Sequence, residues 1–201
     1  MSERQNRILS RDYIRSFMVA ISEEIGNFSL QIILQQVGYN GFPVGWPEQE
    51  LASMSSSEFA ALQHGLREYY GRGARGLLQR VGRETWTAMV QNTSPGRKVS
   101  FGLMKLAPRA FRSRQVLELL AEKLRGQDGK VNVQAQDMGF LLVDQTSDST
   151  FGQQTSEPIC WSTLGLIQGA LFWAIGNEME VEEISCCAMG GDACKFKIRL
   201  T

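Results

Sequence analysis

The stretch from Pro158 to Ile198 constrains the fold more than any other, because its hydrophobic period changes partway and all four cysteines of the chain fall within it. Cys160 precedes an apolar run, Leu164 to Ala174, long enough for about three helical turns and too short to cross a bilayer. It reads as a buried helix. After Gly176 the period becomes two: Ile184, Cys186 and Ala188 alternate with polar neighbours, and beyond Gly190 and Gly191 so do Cys194, Phe196 and Ile198. This is the pattern of a β-hairpin with one apolar face. With the loop centred on Gly190, Cys186 is expected opposite Cys194 and Ile184 opposite Phe196, both thiols on the apolar face. Cys160 is a third candidate ligand and an acidic residue on the first strand a fourth, a set that suits tetrahedral zinc. The alternative is four ordinary buried cysteines, since a free cysteine behaves as a small hydrophobe.

Cys160, Gly165 and Gly169, then Glu183-x-x-Cys186 and Ala188-x-Gly190-x-x-x-Cys194-x-Phe196, resemble the 4-vinyl reductase domain family. This is a small-molecule-binding module that occurs in a bacteriochlorophyll-biosynthesis protein and in the sensor regions of phenol-responsive transcription activators. The resemblance implies a zinc site made of a cysteine, a glutamate 23 residues on, a cysteine three further and a cysteine eight beyond; Cys160, Glu183, Cys186 and Cys194 stand at those intervals. Cys187 has no counterpart in the set. On an unbroken strand Glu183 has the opposite parity to Cys186, so its use as a ligand requires a bulge or twist between them. Glu182 shares the Cys186 face and is the fallback ligand.

The chain has 201 residues, enough for one core with an N-terminal extension. Residues 1–50 are expected to form a helical extension that serves dimerisation, and 51–201 the ligand-binding domain. Basic and acidic residues balance at 21 each, which gives no global field to draw nucleic acid or an anionic membrane. The N-terminus is polar where a secretory signal would need an apolar stretch, and no window reaches transmembrane length. A cytoplasmic protein is expected, and in that reducing setting the cysteines read as thiols or metal ligands.

From Asp12 to Val37 the apolar spacing predicts two helices with a break at Gly26-Asn27. Gly38 to Pro47 is dense in turn formers yet carries Phe42, Val44 and Trp46, so it is expected to fold back onto the body or onto a second subunit. Ser55 to Glu58 is a helix start. His64, the single histidine, lies off the apolar stripe that follows and reads as exposed. Gly71 to Gly76 spells GxGxxG, but a helical pattern stands where a dinucleotide-binding turn needs a strand; the glycines are better suited to a close meeting of two helices. Arg67, Arg72, Arg75, Arg80 and Arg83 make a solvated face or a site for an acidic partner. Gln91 to Val99 is a loop whose Asn92 sequon is incidental. Phe111 to Leu124 is an amphipathic helix, Lys130 to Ala135 and Phe140 to Val143 are strands, and Thr146 to Glu157 is a polar loop read as a lid. The class is α+β: about four antiparallel strands in two hairpins with about six helices, the C-terminal hairpin stapled by structural zinc.

A site of three thiolates and one carboxylate has no open position, so the metal is expected to staple the fold without doing chemistry. The apolar pocket candidates are Phe140, Leu164, Ile167, Gly169, Leu171 and Trp173, with room for an aromatic or tetrapyrrole-like ring beside the glycines, or for a neighbouring helix. Vinyl reduction would need a hydride source, and the sequence offers no nicotinamide or flavin motif. The family resemblance implies, for a stand-alone member, a hydrophobic small-molecule ligand and pigment handling or assembly of photosynthetic complexes. It also implies pairing of two copies, contact with a protein partner, and a location peripheral to the photosynthetic membrane. The alternative it carries is an aromatic-effector sensor signalling to a separate protein.

Overall fold

The computed structural model describes residues 5–41, 46–47, 52–92, 107–126 and 128–200. Among them are six α-helices and four strands: α1 (Arg11–Ile25), α2 (Asn27–Gln36), α3 (Ser56–Tyr70), α4 (Ala74–Gln91), α5 (Arg109–Arg125), β1 (Val131–Gln136), β2 (Gly139–Asp144), α6 (Trp161–Ile175), β3 (Glu180–Ser185) and β4 (Cys194–Arg199). The strands form one antiparallel sheet in the order β1-β2-β4-β3, so the two hairpins join through their second strands. The α+β architecture expected from the sequence is the one observed.

Local chemistry sets several boundaries. Gly26, at φ 78°, ends α1 and turns the chain by 116° into α2, a backbone that a side chain would resist. Ser55 and Glu58 form a capping box at the start of α3: each side chain accepts from the other residue's backbone N–H. Among the described residues, no single helix is long and apolar enough to cross a membrane; α1 and α2 reach that composition only as a bent pair, and their Phe17, Met18, Ile21 and Leu30 are buried in the core.

The core runs from Leu9 to Ile198 through every helix and through the inner face of the sheet. Its centre is α6, whose apolar residues are buried nearly all round. α6 packs against α4, α5 and β3, and it meets α4 backbone to backbone. A Cβ on Gly82 would strike the Ser162 carbonyl, one on Gly165 the Gln79 carbonyl, and one on Gly169 would stand 2.9 Å from the Arg83 Cα. A helix, not a flat ring, is therefore the close neighbour that Gly165 and Gly169 admit. Gly71 to Gly73 instead form a short 3₁₀ turn between α3 and α4, so the close approach falls one helix later than the sequence suggests.

Trp46 is 5% exposed; its indole N–H donates to Ser22 Oγ over 3.4 Å, and Arg15 lies over its ring. Trp46 thus packs onto its own chain, which removes this side chain from the apolar surface that would support pairing. Phe42, Val44 and residues 93–99 lie outside the described residues.

The helix crossing yields a stability test. Gly165→Ala and Gly82→Ala each force α4 and α6 apart and should cost roughly 1–3 kcal/mol, read as a lower urea midpoint. Gly73→Ala, where a Cβ meets nothing within 4 Å, should stay within about 0.5 kcal/mol of wild type.

Candidate metal centre

Three structural pieces bring the donors together. Cys160 is the N-cap of α6, fixed where it is by the glycine crossing one turn further on. Cys194 opens β4 with its side chain on the buried face, alternating inward with Phe196 and Ile198. Cys186 follows β3, at the start of a tight turn in which its carbonyl accepts from both Met189 and Gly191 N–H.

The register of the C-terminal hairpin differs from the expectation. Glu183, not Ile184, lies opposite Phe196, and Ser185 lies opposite Lys195, with a bulge between Glu183 and Ser185. Ile184 is pushed outward and is 50% exposed. The cause is the turn: residues 187–189 form a 3₁₀ turn that ends at Gly190 with φ 90°, so Cys186 leaves the ladder before it can pair with Cys194. The bulge is also what brings Glu183 round to the cysteines despite its parity. Glu182 points the other way, more than half exposed and 3.9 Å from Arg199.

Cys160, Glu183, Cys186 and Cys194 offer ligand atoms that all lie within 4.8 Å of one another. The three sulfurs are unbonded thiols; Cys160 Sγ is 3.4 Å from Cys194 Sγ and 4.0 Å from Cys186 Sγ. Four donors about 2.3 Å from a tetrahedral zinc place their sulfurs about 3.8 Å apart, between those two values. Glu183 Oε2 accepts from the Cys160 backbone N–H at 3.1 Å, whereas Oε1 is buried with no hydrogen-bond partner among the described residues. An orphaned carboxylate oxygen facing three thiols is a costly arrangement that a cation would satisfy. The donor set fits a metal ion.

The electrostatics of the metal-free cluster lead the same way. Burial pushes the Cys160 thiol well above its ordinary value, and hydrogen bonding to Cys160 and Cys186 holds the Cys194 thiol up. Hydrogen bonds from Cys160 and Cys194 draw Cys186 down. Burial raises Glu183 to about 8. Burial and mutual repulsion oppose negative charge on all four donors at once, because adjacent buried anions would repel.

Sequence reading missed the groups that surround the sulfurs. Within residues 146–157, expected as a lid, the turn 147–150 folds inward: Ser147, Ser149 and Thr150 are buried around a 3₁₀ turn. Ser147 Oγ is 3.8 Å from Cys160 Sγ and Thr150 Oγ1 is 3.9 Å from Cys194 Sγ. The Cys187 N–H donates to Cys194 Sγ over 3.3 Å. Arg67, half-buried on α3, lies within electrostatic reach of Cys160 and Cys186 and donates to Gln153 Oε1 at 2.9 Å. Of the other arginines in that segment, Arg80 pairs with Glu24 and Arg83 with Glu178, so much of the basic face is spent within the chain. Of the pocket candidates, Phe140, Leu164, Ile167 and Leu171 are buried core residues; Trp173, partly buried, packs edge-on against Trp86 at 6.0 Å.

A sheet packed with helices, with a cysteine cluster between the start of α6 and the foot of the C-terminal hairpin, defines an α+β module with a candidate metal centre. Residues 149–200 match the family model of the V4R domain, in keeping with the 4-vinyl reductase-type pattern that the cysteine spacing resembles. The chain is 39% identical over 61 residues to the uncharacterized protein MJ0745 of Methanocaldococcus jannaschii, a match that spans 29% of this chain and 34% of that protein. Solved structures with a similar fold include an H-NOX protein from S. oneidensis in the Fe(II)NO ligation state (TM-score 0.60, 14% identity, 96% of this chain and 99% of that one). Another is the unliganded Fe(II) H-NOX mutant A71G from K. algicida (TM-score 0.55, 14% identity, 95% and 96%). At such identity the likeness is one of fold.

Two tests follow. Cys194→Ser should lose the metal and about 3 kcal/mol or more of stability, while Cys187→Ser should keep the metal, both read by metal analysis after dialysis. The second test is the response to pH. A carboxyl raised from 4.5 to about 8 binds its proton more tightly in the folded state, so its contribution is full below 4.5 and is lost as pH rises towards 8. Asp144, raised to about 7 by burial, acts in the same direction. Cys186, drawn down in the fold, acts in the opposite sense, so chelator-treated protein should lose stability between about pH 5 and 7, where two raised carboxyls outweigh one lowered thiol. Metal-loaded protein should gain it over that range, because the ligands shed protons to bind.

Proposed function

We propose that this protein is a small-molecule-binding module whose C-terminal hairpin is stapled by one zinc ion held by Cys160, Glu183, Cys186 and Cys194. The observation that carries the reading is the orphaned Glu183 oxygen beside three thiols spaced for one tetrahedral ion. Three thiolates favour zinc among the common divalent ions, and four protein donors leave no position for substrate or water. The metal supplies cohesion, not chemistry.

The ligand we propose is a hydrophobic ring compound of the tetrapyrrole kind, held without chemical change. Two observations support it: the family pattern of residues 149–200, and a fold shared with proteins whose structures include a study of heme distortion in the H-NOX family (TM-score 0.58, 16% identity). Ligation of a heme iron by histidine does not fit this chain, since its single histidine, His64, lies exposed on α3. Apolar contact with Phe140, Leu164, Ile167, Leu171 and Trp173 is the proposed means of holding the ring. Gly169 drops out of that surface, because α4 fills the space beside it. Most of these side chains are buried in the core, so binding is expected to open space between α6 and the sheet. A role in pigment handling or in assembling photosynthetic complexes follows if the ligand is a tetrapyrrole, and it is supported by the family resemblance alone.

Titration with a panel of porphyrins and phenols tests the ligand, followed by quenching of Trp86, Trp161 and Trp173. Saturable quenching by a ring compound, at about one per chain, is expected. A protein with its metal in place that no member of either panel quenches would contradict the small-molecule reading.

A further inference from the structure

The hydroxyls that touch two of the sulfurs, Ser147 and Thr150, flank a residue with a different task. Asp148 receives a two-pronged ion pair from Arg7: Nε donates to Oδ1 at 2.9 Å and Nη2 to Oδ2 at 2.6 Å. Both side chains are 10% exposed. Arg7 also donates to the Arg125 and Leu124 carbonyls at the end of α5, at 2.7 and 2.9 Å. Gly129 makes room for it, since a Cβ there would strike Arg7 Nη1. Asp148 Oδ1 accepts from Ser56 Oγ at 2.6 Å, and the Ser56 N–H donates to the Arg7 carbonyl at 2.8 Å. One residue on, Ser149 Oγ accepts from Gln63 Nε2 at 2.9 Å, and Gln63 Oε1 accepts from Ser162 Oγ at 2.9 Å, at the start of α6 beside Cys160. The N-terminal segment, the end of α5, the start of α3 and the shell around the thiols are thus tied into one polar network.

We infer that Arg7 and Asp148 are positioning residues for the metal centre: their ion pair fixes the 147–150 turn, the turn's hydroxyls orient Cys160 and Cys194, and docking of the N-terminal segment is thereby coupled to metal binding. The inference rests on the metal reading above. The geometry favours a positioning role because the pair is buried, so removal of either partner leaves the other charge uncompensated beside the turn. Groups of this kind, which touch ligands and not the metal, commonly change metal affinity by about 10–100-fold when altered. The coupling must also run in reverse: if docking of the N-terminal segment tightens metal binding, metal binding tightens docking.

The experiment uses the full chain loaded with cobalt(II), whose thiolate absorption bands report ligand geometry, and follows metal transfer to a chromophoric chelator. Arg7→Met and Asp148→Asn should each release cobalt about tenfold faster or more and shift the bands. The double variant should match the singles, because both act through one contact. Leu34→Ala, in the buried core of α2, should release cobalt at the wild-type rate despite its lost stability. Should either charge variant fail to fold, the wild type alone decides. The Leu9 and Ser56 amides, bonded to the Met54 and Arg7 carbonyls, should then exchange hydrogen on the order of tenfold more slowly when metal is bound. Wild-type release and spectra in the variants, equally fast release from Leu34→Ala, or exchange that ignores the metal would overturn the inference while leaving the metal reading intact. A wild-type chain that takes up no cobalt would overturn both.

Discussion

The C-terminal half depends on a charge problem that the chain cannot solve alone. Cys160, Cys186, Cys194 and Glu183 converge within 4.8 Å in a buried corner; as neutral thiols they gain little from meeting, and as anions they repel. One Glu183 oxygen is left buried without a partner. A divalent cation held there would turn repulsion among four donors into four bonds, and it would join the start of α6 to both sides of the C-terminal hairpin. The bulge after Glu183 and the early exit of Cys186 from the ladder sacrifice regular strand pairing, and that loss makes sense only if the side chains gain something by meeting.

The helical layer supplies the other half of the geometry. α6 cannot place Cys160 unless its own position is fixed, and the contact of Gly82, Gly165 and Gly169 at the α4 crossing fixes it more tightly than larger side chains would allow. From the far side, the Arg7–Asp148 pair and the Gln63 bonds hold the 147–150 turn against the sulfurs. The site is thus braced by elements distant in sequence, some of them more than 100 residues from the cysteines they support.

The helices and the two hairpins were legible in the sequence, since hydrophobic period is a local signal, and the meeting of Cys160, Glu183, Cys186 and Cys194 was expected from the family resemblance. The bulge was foreseeable from parity, because Glu183 could reach the cysteines only by breaking the alternation. The pairing of Ile184 with Phe196 was misread because a turn centred on Gly190 assumes unbroken strands, and the 3₁₀ turn after Cys186 carries no periodic mark. The loop before Cys160 read as a lid because it is polar, yet its Ser147, Ser149 and Thr150 are buried, with hydrogen-bond partners that no spacing reveals. Gly82 gave no signal of its own: an isolated glycine in a helix gains meaning only when the helix crossing it becomes known.

The account's central claim is the composition of the metal's ligand set, and zinc K-edge absorption of the purified protein addresses it most directly. It predicts three sulfur neighbours at about 2.3 Å and one oxygen at about 2.0–2.2 Å. Four sulfur neighbours would contradict it, because they would put Cys187 in the place assigned to Glu183.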